Sequence, residues 1–270
     1  MPKLLRLGCQ GSNVLALTNR LNEKGFTVTP TRHFTEDVET AVIQFQIAHD
    51  LVADGIVGDK TRAALSRQKT GLSNLLKHSD LVAAAQTLGV PVAAVMAVNQ
   101  VESRGHGFLK DGRPVILYER HVMRRRMKRN QVEANVIDLA ASHWPGLVNK
   151  KPGGYQGGVA EHERLQLACE IHRKSALESC SWGQFQIMGY HSRALGYDSI
   201  DHFVDSMADT EAKQLTAFVN FILRKPRLHR ALKALDWTRF ARYYNGPAYA
   251  KNRYDTKLET AFKKYSQQHG

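Results

Sequence analysis

The sequence has little cysteine. Cys9, Cys169 and Cys180 are an odd number, with no C-x-x-C pair among 270 residues. This argues against a disulfide framework and makes reduced thiols the expectation. No run of about 18 uninterrupted apolar residues occurs, so no window is long enough for a membrane-spanning helix. The opening "MPKLLRLGCQGSNVLAL" has a short apolar block and no small-residue cleavage pattern, unlike a secretory signal, so synthesis in the cytoplasm is expected. H-E-x-x-H and paired-cysteine spacings are also missing. The best local cluster, His162, Cys169 and His172, therefore reads as surface histidines and a buried thiol, and neither a metal nor a cofactor is expected.

Positive charge, by contrast, is abundant. The formal net charge is +13, which predicts salt-sensitive attraction to a polyanion: nucleic acid, an anionic membrane face or an anionic wall polymer. The run "RRRMKR", Arg124 to Arg129, lacks interleaved aromatics and reads as a solvated helix face able to meet anionic wall or membrane components, so nucleic acid is not an expected partner. Hydrophobic residues make up 43% of the chain, ample for a core in one large domain or in a small one joined to a medium one.

Three apolar periodicities mark helices near the N-terminus: Val14 to Leu21, Val38 to Phe45, and Thr61 to Leu65, with turn chemistry in "VADGIVGDKT" between the last two. The polar, basic stretch "SRQKTGLSNLLKHSD" reads as a linker. Beyond it, Ser79 or Asp80 can cap a helix ending at Gly89, and Pro91 suits the first turn of the next, running to about Ser103.

Within that second helix, Val95, Val98 and Glu102 share one stripe, so the carboxylate projects from the core-facing side and is expected to be partly buried. Burial raises a carboxyl pKa, as a general acid requires. The alternative is a structural ion pair with Arg104 or Arg120. The following "SRGHGFLKDGRPVILYERH" reads as a glycine-rich loop and a short hairpin directly after Glu102, an order that places an acid at a cleft wall. "KPGGYQGGVAEHERLQLA" reads as a flexible loop followed by a helix with Glu161 and Glu163 in its first turn. Ser181, Trp182, Gln184 and Gln186 cluster in "SCSWGQFQIMGYH", and Tyr243, Asn245 and Tyr249 in "YYNGPAY". Amides beside aromatic faces suit carbohydrate, though the same residues could fill core and cap loops.

The N-terminal pattern "LRLGCQGSNVLALTNRLNEKGF" through "DGIVGDKTRAAL" resembles the three-helix peptidoglycan-binding domain of many cell-wall hydrolases. It departs at His49-Asp50-Leu51, where that family usually has glycine before the leucine. From Leu81 onward, "AVNQVESRGHGFLKDGRPVILYERHVM", "SWGQFQIMGYH" and "YYNGPAY" are similar to the N-acetylmuramidase domain of modular phage endolysins. "VES", "SWGQFQI" and "YYNGP" more distantly resemble motifs of goose-type lysozymes and lytic transglycosylases.

The resemblance implies a mainly α protein: a peptidoglycan-binding domain over 1–68, a linker over 69–80, and a larger lysozyme-like α+β domain with a small β-hairpin over 81–270. It implies a glycoside hydrolase that cuts the β-1,4 bond between N-acetylmuramic acid and N-acetylglucosamine, made in a host cytoplasm and reaching the wall after membrane permeabilisation. A monomer whose partner is bacterial peptidoglycan is expected. Carried over, the general acid falls on Glu102. Glu119 is the first candidate for a base or electrostatic stabiliser, against a reading in which it salt-bridges Arg120 or Arg113. Asp111 and Glu178 are weaker candidates. A carboxyl separation of roughly 5 Å would mean a retaining route, and about 6.5 to 9.5 Å room for a water. Alternatives are a lytic transglycosylase using one acid, and a non-catalytic wall-binding protein.

Overall fold

A computed structural model describes residues 4–66, 74–103 and 105–269, so the first part of the expected linker and Arg104 lie outside the described residues. Among the described residues no single helix is long and apolar enough to cross a membrane. The backbone divides into two compact units, Met1–Val101 with Leu235–Gly270, and Glu102–Ala234.

In the first unit, α1 (Ser12–Glu23), α2 (Glu36–Ala48) and α3 (Asp59–Leu65) close on a core that includes Val14, Leu17, Leu21, Phe34, Val38, Val42, Phe45 and Leu65. All of these but Phe34 belong to the three sequence periodicities. The turn between α2 and α3 is organised by one buried amide. Gln46 Nε2 donates to Asp54 Oδ1, the Ile56 carbonyl and Thr61 Oγ1 at 3.0, 3.0 and 3.2 Å, and its Oε1 accepts from the Gly55 amide at 2.9 Å. A buried amide that meets several partners adds a net stabilisation, where an unmet one would cost it. Asp50, where the resembled family usually places glycine, takes φ +49°, the left-handed conformation that turn requires. Its carboxylate accepts from the Ser79 amide and hydroxyl at 3.1 and 3.0 Å.

Ser79 and Asp80 lie in α4 (His78–Leu88). Lys77 is its cap residue, and Asp80 reaches back to the Lys77 amide at 2.9 Å. Gly89 ends the helix in the left-handed conformation, and α5 (Val92–Glu102) starts directly after Pro91. The C-terminal helices α12 (Trp237–Asn245) and α13 (Tyr254–His269) complete this unit, with Trp237 against Phe262 at 5.3 Å between ring centres. From α13, Lys264 Nζ donates to the Asp54 carbonyl at 3.2 Å and lies 3.1 Å from Glu39 Oε1.

The second unit holds a three-stranded antiparallel sheet, β1 (Ile116–Tyr118), β2 (Cys180–Trp182) and β3 (Ile187–Met188), in that order. The expected hairpin after Glu102 is reduced to a bridge between Phe108 and Pro114. The strand in "PVILYE" instead pairs with β2, Leu117 opposite Ser181, and the well-formed hairpin is β2–β3. Around the sheet stand α6 (Arg120–Arg129), α7 (Ala134–His143), α8 (Ala160–Glu178), α9 (Ile200–Asp209), α10 (Glu211–Leu223) and α11 (Pro226–Lys233). "RRRMKR" lies on α6. Within α8 the helix breaks at His172, whose Nδ1 accepts from the Ser175 amide at 3.2 Å and so caps the second half.

Candidate active site

Glu102 is the last residue of α5, in line with Val95 and Val98, which are buried, and is itself half-buried. The chain after it is fixed from a distance. The Gly107 amide donates to Glu211 Oε1 at 2.9 Å, and Gln214 Nε2 donates to the Gly107 carbonyl at 3.2 Å. Gln214 Oε1 accepts from the Gln184 amide at 2.7 Å, and the Gly183 amide donates to the Val115 carbonyl at 2.8 Å. Two buried polar side chains at the start of α10 thus hold the segment after Glu102 to the turn between β2 and β3. The approach is too close for side chains. A Cβ on Gly107 would collide with the Gln214 amide, and one on Gly183, which has φ +70°, would stand 2.5 Å from Gln214 Cδ.

Glu119 follows β1, its amide bonded to the Ser179 carbonyl at 3.1 Å. The side chain pairs with neither arginine that sequence reading offered. The Tyr155 hydroxyl donates to Glu119 Oε2 at 2.8 Å, and His121 Nδ1 lies 3.1 Å from the same oxygen. Arg113 is taken by Asp111 at 2.7 Å. Arg120 donates to the carbonyls of Pro145, Lys151 and Pro152 at 2.9 to 3.3 Å. Burial, then the bond to Glu119, push the Tyr155 hydroxyl above its usual range, so it stays a donor.

The loop carrying Tyr155 is not the flexible element expected. Arg120 grips its start, and Glu161 Oε1 accepts from the Gln156 and Gly157 amides at 2.6 and 3.1 Å. Glu161 is fully buried, and its Oε2 accepts from the Tyr118 amide at 3.0 Å and Arg164 Nη1 at 2.8 Å. Burial raises its pKa, but the three backbone bonds and the Arg164 charge outweigh that and leave it lowered. Its role is therefore to tie the loop to β1, well beyond the helix-dipole contribution read from sequence.

Of the remaining expected residues, Ser181 Oγ donates to Gln186 Oε1 at 2.9 Å, and Gln186 Nε2 donates to the Gly183 carbonyl at 2.9 Å. Gln186 has φ +52°, a conformation uncommon outside glycine and one that clusters at functional sites. Gln184 is buried, and Trp182 is 3% exposed with its indole N–H donated to the Leu177 carbonyl at 3.1 Å, so its ring faces the core. The sheet and the α10 side chains bring Glu119, Ser181, Trp182, Gln184 and Gln186 together with the chain that follows Glu102. Tyr243 and Asn245 on α12, and Tyr249 in the turn Pro247–Asn252, belong to the first unit; Tyr243 is exposed, and Asn245 and Tyr249 are half-buried. Glu178, a weak candidate from sequence, is buried and accepts from Arg126 Nε and Asn130 Nδ2, both at 2.8 Å.

Sequence reasoning missed Tyr155, His121, Glu211 and Gln214. Tyr155 had a signal, an aromatic residue between two Gly-Gly pairs; the α10 pair, over 100 residues from the loop it holds, had none. Among the described residues no group of three His, Cys, Asp or Glu side chains could hold a metal ion.

Residues 91–266 match the N-acetylmuramidase family, and residues 10–65 match the peptidoglycan binding domain family. The crystal structure of the Burkholderia AP3 phage endolysin is similar over 98% of this chain and 100% of that one, with 48% identity and a TM-score of 0.92. No curated protein sequence matches. With one family covering most of the chain and the other its N-terminal three-helix module, the chain belongs to the N-acetylmuramidase family and is a glycoside hydrolase of peptidoglycan with its own wall-binding domain.

Proposed function

We propose that the protein is an endolysin-type muramidase in which Glu102 is the general acid. What supports this is the placement of Glu102: a half-buried carboxylate that ends an apolar helix and leads into a segment held, through Gly107, against the Gly183–Gln186 turn. Glu102 protonates the glycosidic oxygen as the sugar gains oxocarbenium character. Glu119, oriented by Tyr155 and His121, stabilises that charge or takes the proton of an attacking water. Gln186 contacts sugar hydroxyls in the second unit, and Tyr243, Asn245 and Tyr249 are proposed, separately, as sugar-contacting residues of the first. Ser181, Trp182 and Gln184 act from behind, through the hydrogen bonds that shape the turn.

The reading extends to a binding domain over 1–68, a linker over 69–80 and a catalytic domain over 81–270, in a monomer. On the same proposal, the protein is made in a host cytoplasm and reaches the wall after the membrane is permeabilised. The deciding experiment is digestion of purified peptidoglycan by wild type and Glu102→Gln, with products read by mass spectrometry. Reducing muramyl ends and a loss of at least about a hundredfold in rate are expected. Anhydro-muramyl ends would make the enzyme a transglycosylase, and an unchanged rate would remove Glu102 from the mechanism.

A further inference from the structure

Apart from the catalytic residues, the second unit carries a groove of about 610 Å³ between α6, α8, the turns after β3 and the start of α9. It is strongly cationic. Arg126, Arg129, Arg173, Lys174 and Arg193 line it, against the carboxylates of Glu178 and Asp201. Those two acids are occupied: Glu178 pairs with Arg126 at 2.8 Å, and Asp201 pairs with Arg173. Arg129, Lys174 and Arg193 are exposed and have no carboxylate partner among the described residues.

One member is set up in advance. Arg126 uses Nε for the buried Glu178, which Asn130 also holds, and its guanidinium lies 5.7 Å from the centre of the Tyr190 ring. Its two terminal nitrogens have no protein partner among the described residues, so the forked edge that matches a carboxylate stays open. A guanidinium fixed from behind loses little side-chain freedom on binding an anion.

Shape and location select the ligand. The site is concave, so a slender anionic chain fits it and a planar membrane face does not. It also adjoins both ends of the β2–β3 hairpin: Glu178 stands two residues before β2, and Tyr190 two after β3. The substrate is a glycan that carries short peptides with free carboxylates. We propose that this groove binds those peptide stems, so that the enzyme reads the peptide decoration of the wall as well as its sugars. The proposal rests on peptidoglycan being the substrate, as stated above.

The test is a calorimetric titration of the full-length protein with a synthetic L-Ala-D-Glu-diaminopimelate-D-Ala tetrapeptide. The groove variant is Arg129→Glu/Arg193→Glu, and Lys128→Glu, an exposed cation on α6 outside the groove, is the control. Roughly tenfold weaker binding by the groove variant and less than a twofold change in the control are expected. On intact sacculi the groove variant should raise KM with kcat unchanged, and on peptidoglycan glycan strands stripped of their peptides it should behave as wild type. Equal weakening in the control, no binding by wild type, or competition by phosphatidylglycerol vesicles would each overturn the proposal. The titration does not depend on turnover. A wild type that binds the tetrapeptide but cuts no glycan would refute the muramidase reading and leave the groove standing.

Discussion

The binding module and the second unit bury polar groups in different ways. In the module, one neutral amide, Gln46, satisfies a turn that begins eight residues further on. In the second unit, two buried carboxylates hold backbone that is distant in sequence: Glu161 holds Tyr118 across 43 residues, and Glu211 holds Gly107 across 104. The neutral arrangement spans only α2, its turn and α3, whereas the charged ones join elements far apart in the sequence of the second unit. The contrast suits a module that must only adhere, and a unit that must hold several side chains in fixed relation.

The sharpest test of this contrast is Glu161→Gln, which leaves Arg164 buried without its carboxylate and weakens the grip on Gln156 and Gly157. A loss of about 3–5 kcal/mol is expected in denaturant unfolding, together with loss of activity, while cell-wall pull-down by the N-terminal module persists. Since its folded pKa is lowered, the Glu161 contribution is fully present above the usual carboxylate range and disappears as pH falls through the folded value.

A smaller effect is expected from Gly107→Ala, which forces Gln214 aside and shifts the chain after Glu102: about 2–3 kcal/mol, with kcat falling more than KM rises. Gln46→Leu should cost about 1–2 kcal/mol and affect wall binding alone, since only the module's turn loses its partner. If it also lowered turnover on soluble glycan, the two regions would not be as independent as the contrast requires.

The smallest effect is a pH slope. Burial, helped by the nearby Lys225 and Arg126 charges, pushes His191 down to about 4, from an unfolded value near 6.5. The unfolded chain therefore takes up a proton first, so stability is full above about 6.5 and declines as pH falls towards 4. Given the partial exposure of His191, a decline on the order of 1 kcal/mol is expected, and His191→Phe should flatten it in thermal melts at pH 7 and pH 5.

Legibility in the sequence follows the same division. The helices α1 to α3 were readable because their apolar spacing is local, and the position of Glu102 on its stripe was readable for the same reason. The strand in "PVILYE" was visible, but its partner was not: β2 lies more than 60 residues away, and the nearer segment looked like a hairpin arm. Trp182 read as a sugar platform because composition alone cannot tell an indole facing the core from one facing a cleft; its bond to the Leu177 carbonyl decides that. Glycine content made the loop around Tyr155 look mobile, and the carboxylate that ties it down lay hidden in the first turn of a helix.

Lys264, near the C-terminus, bonds a turn and faces a carboxylate in the N-terminal module, Asp54 and Glu39. For protein engineering this sets a rule of exchange. A foreign targeting module grafted onto this scaffold must present an acid where Glu39 stands and a free carbonyl where Asp54 turns, or the chimera leaves a lysine stranded at the seam. Conversely, trimming the last helix is expected to loosen a domain encoded at the opposite end of the chain.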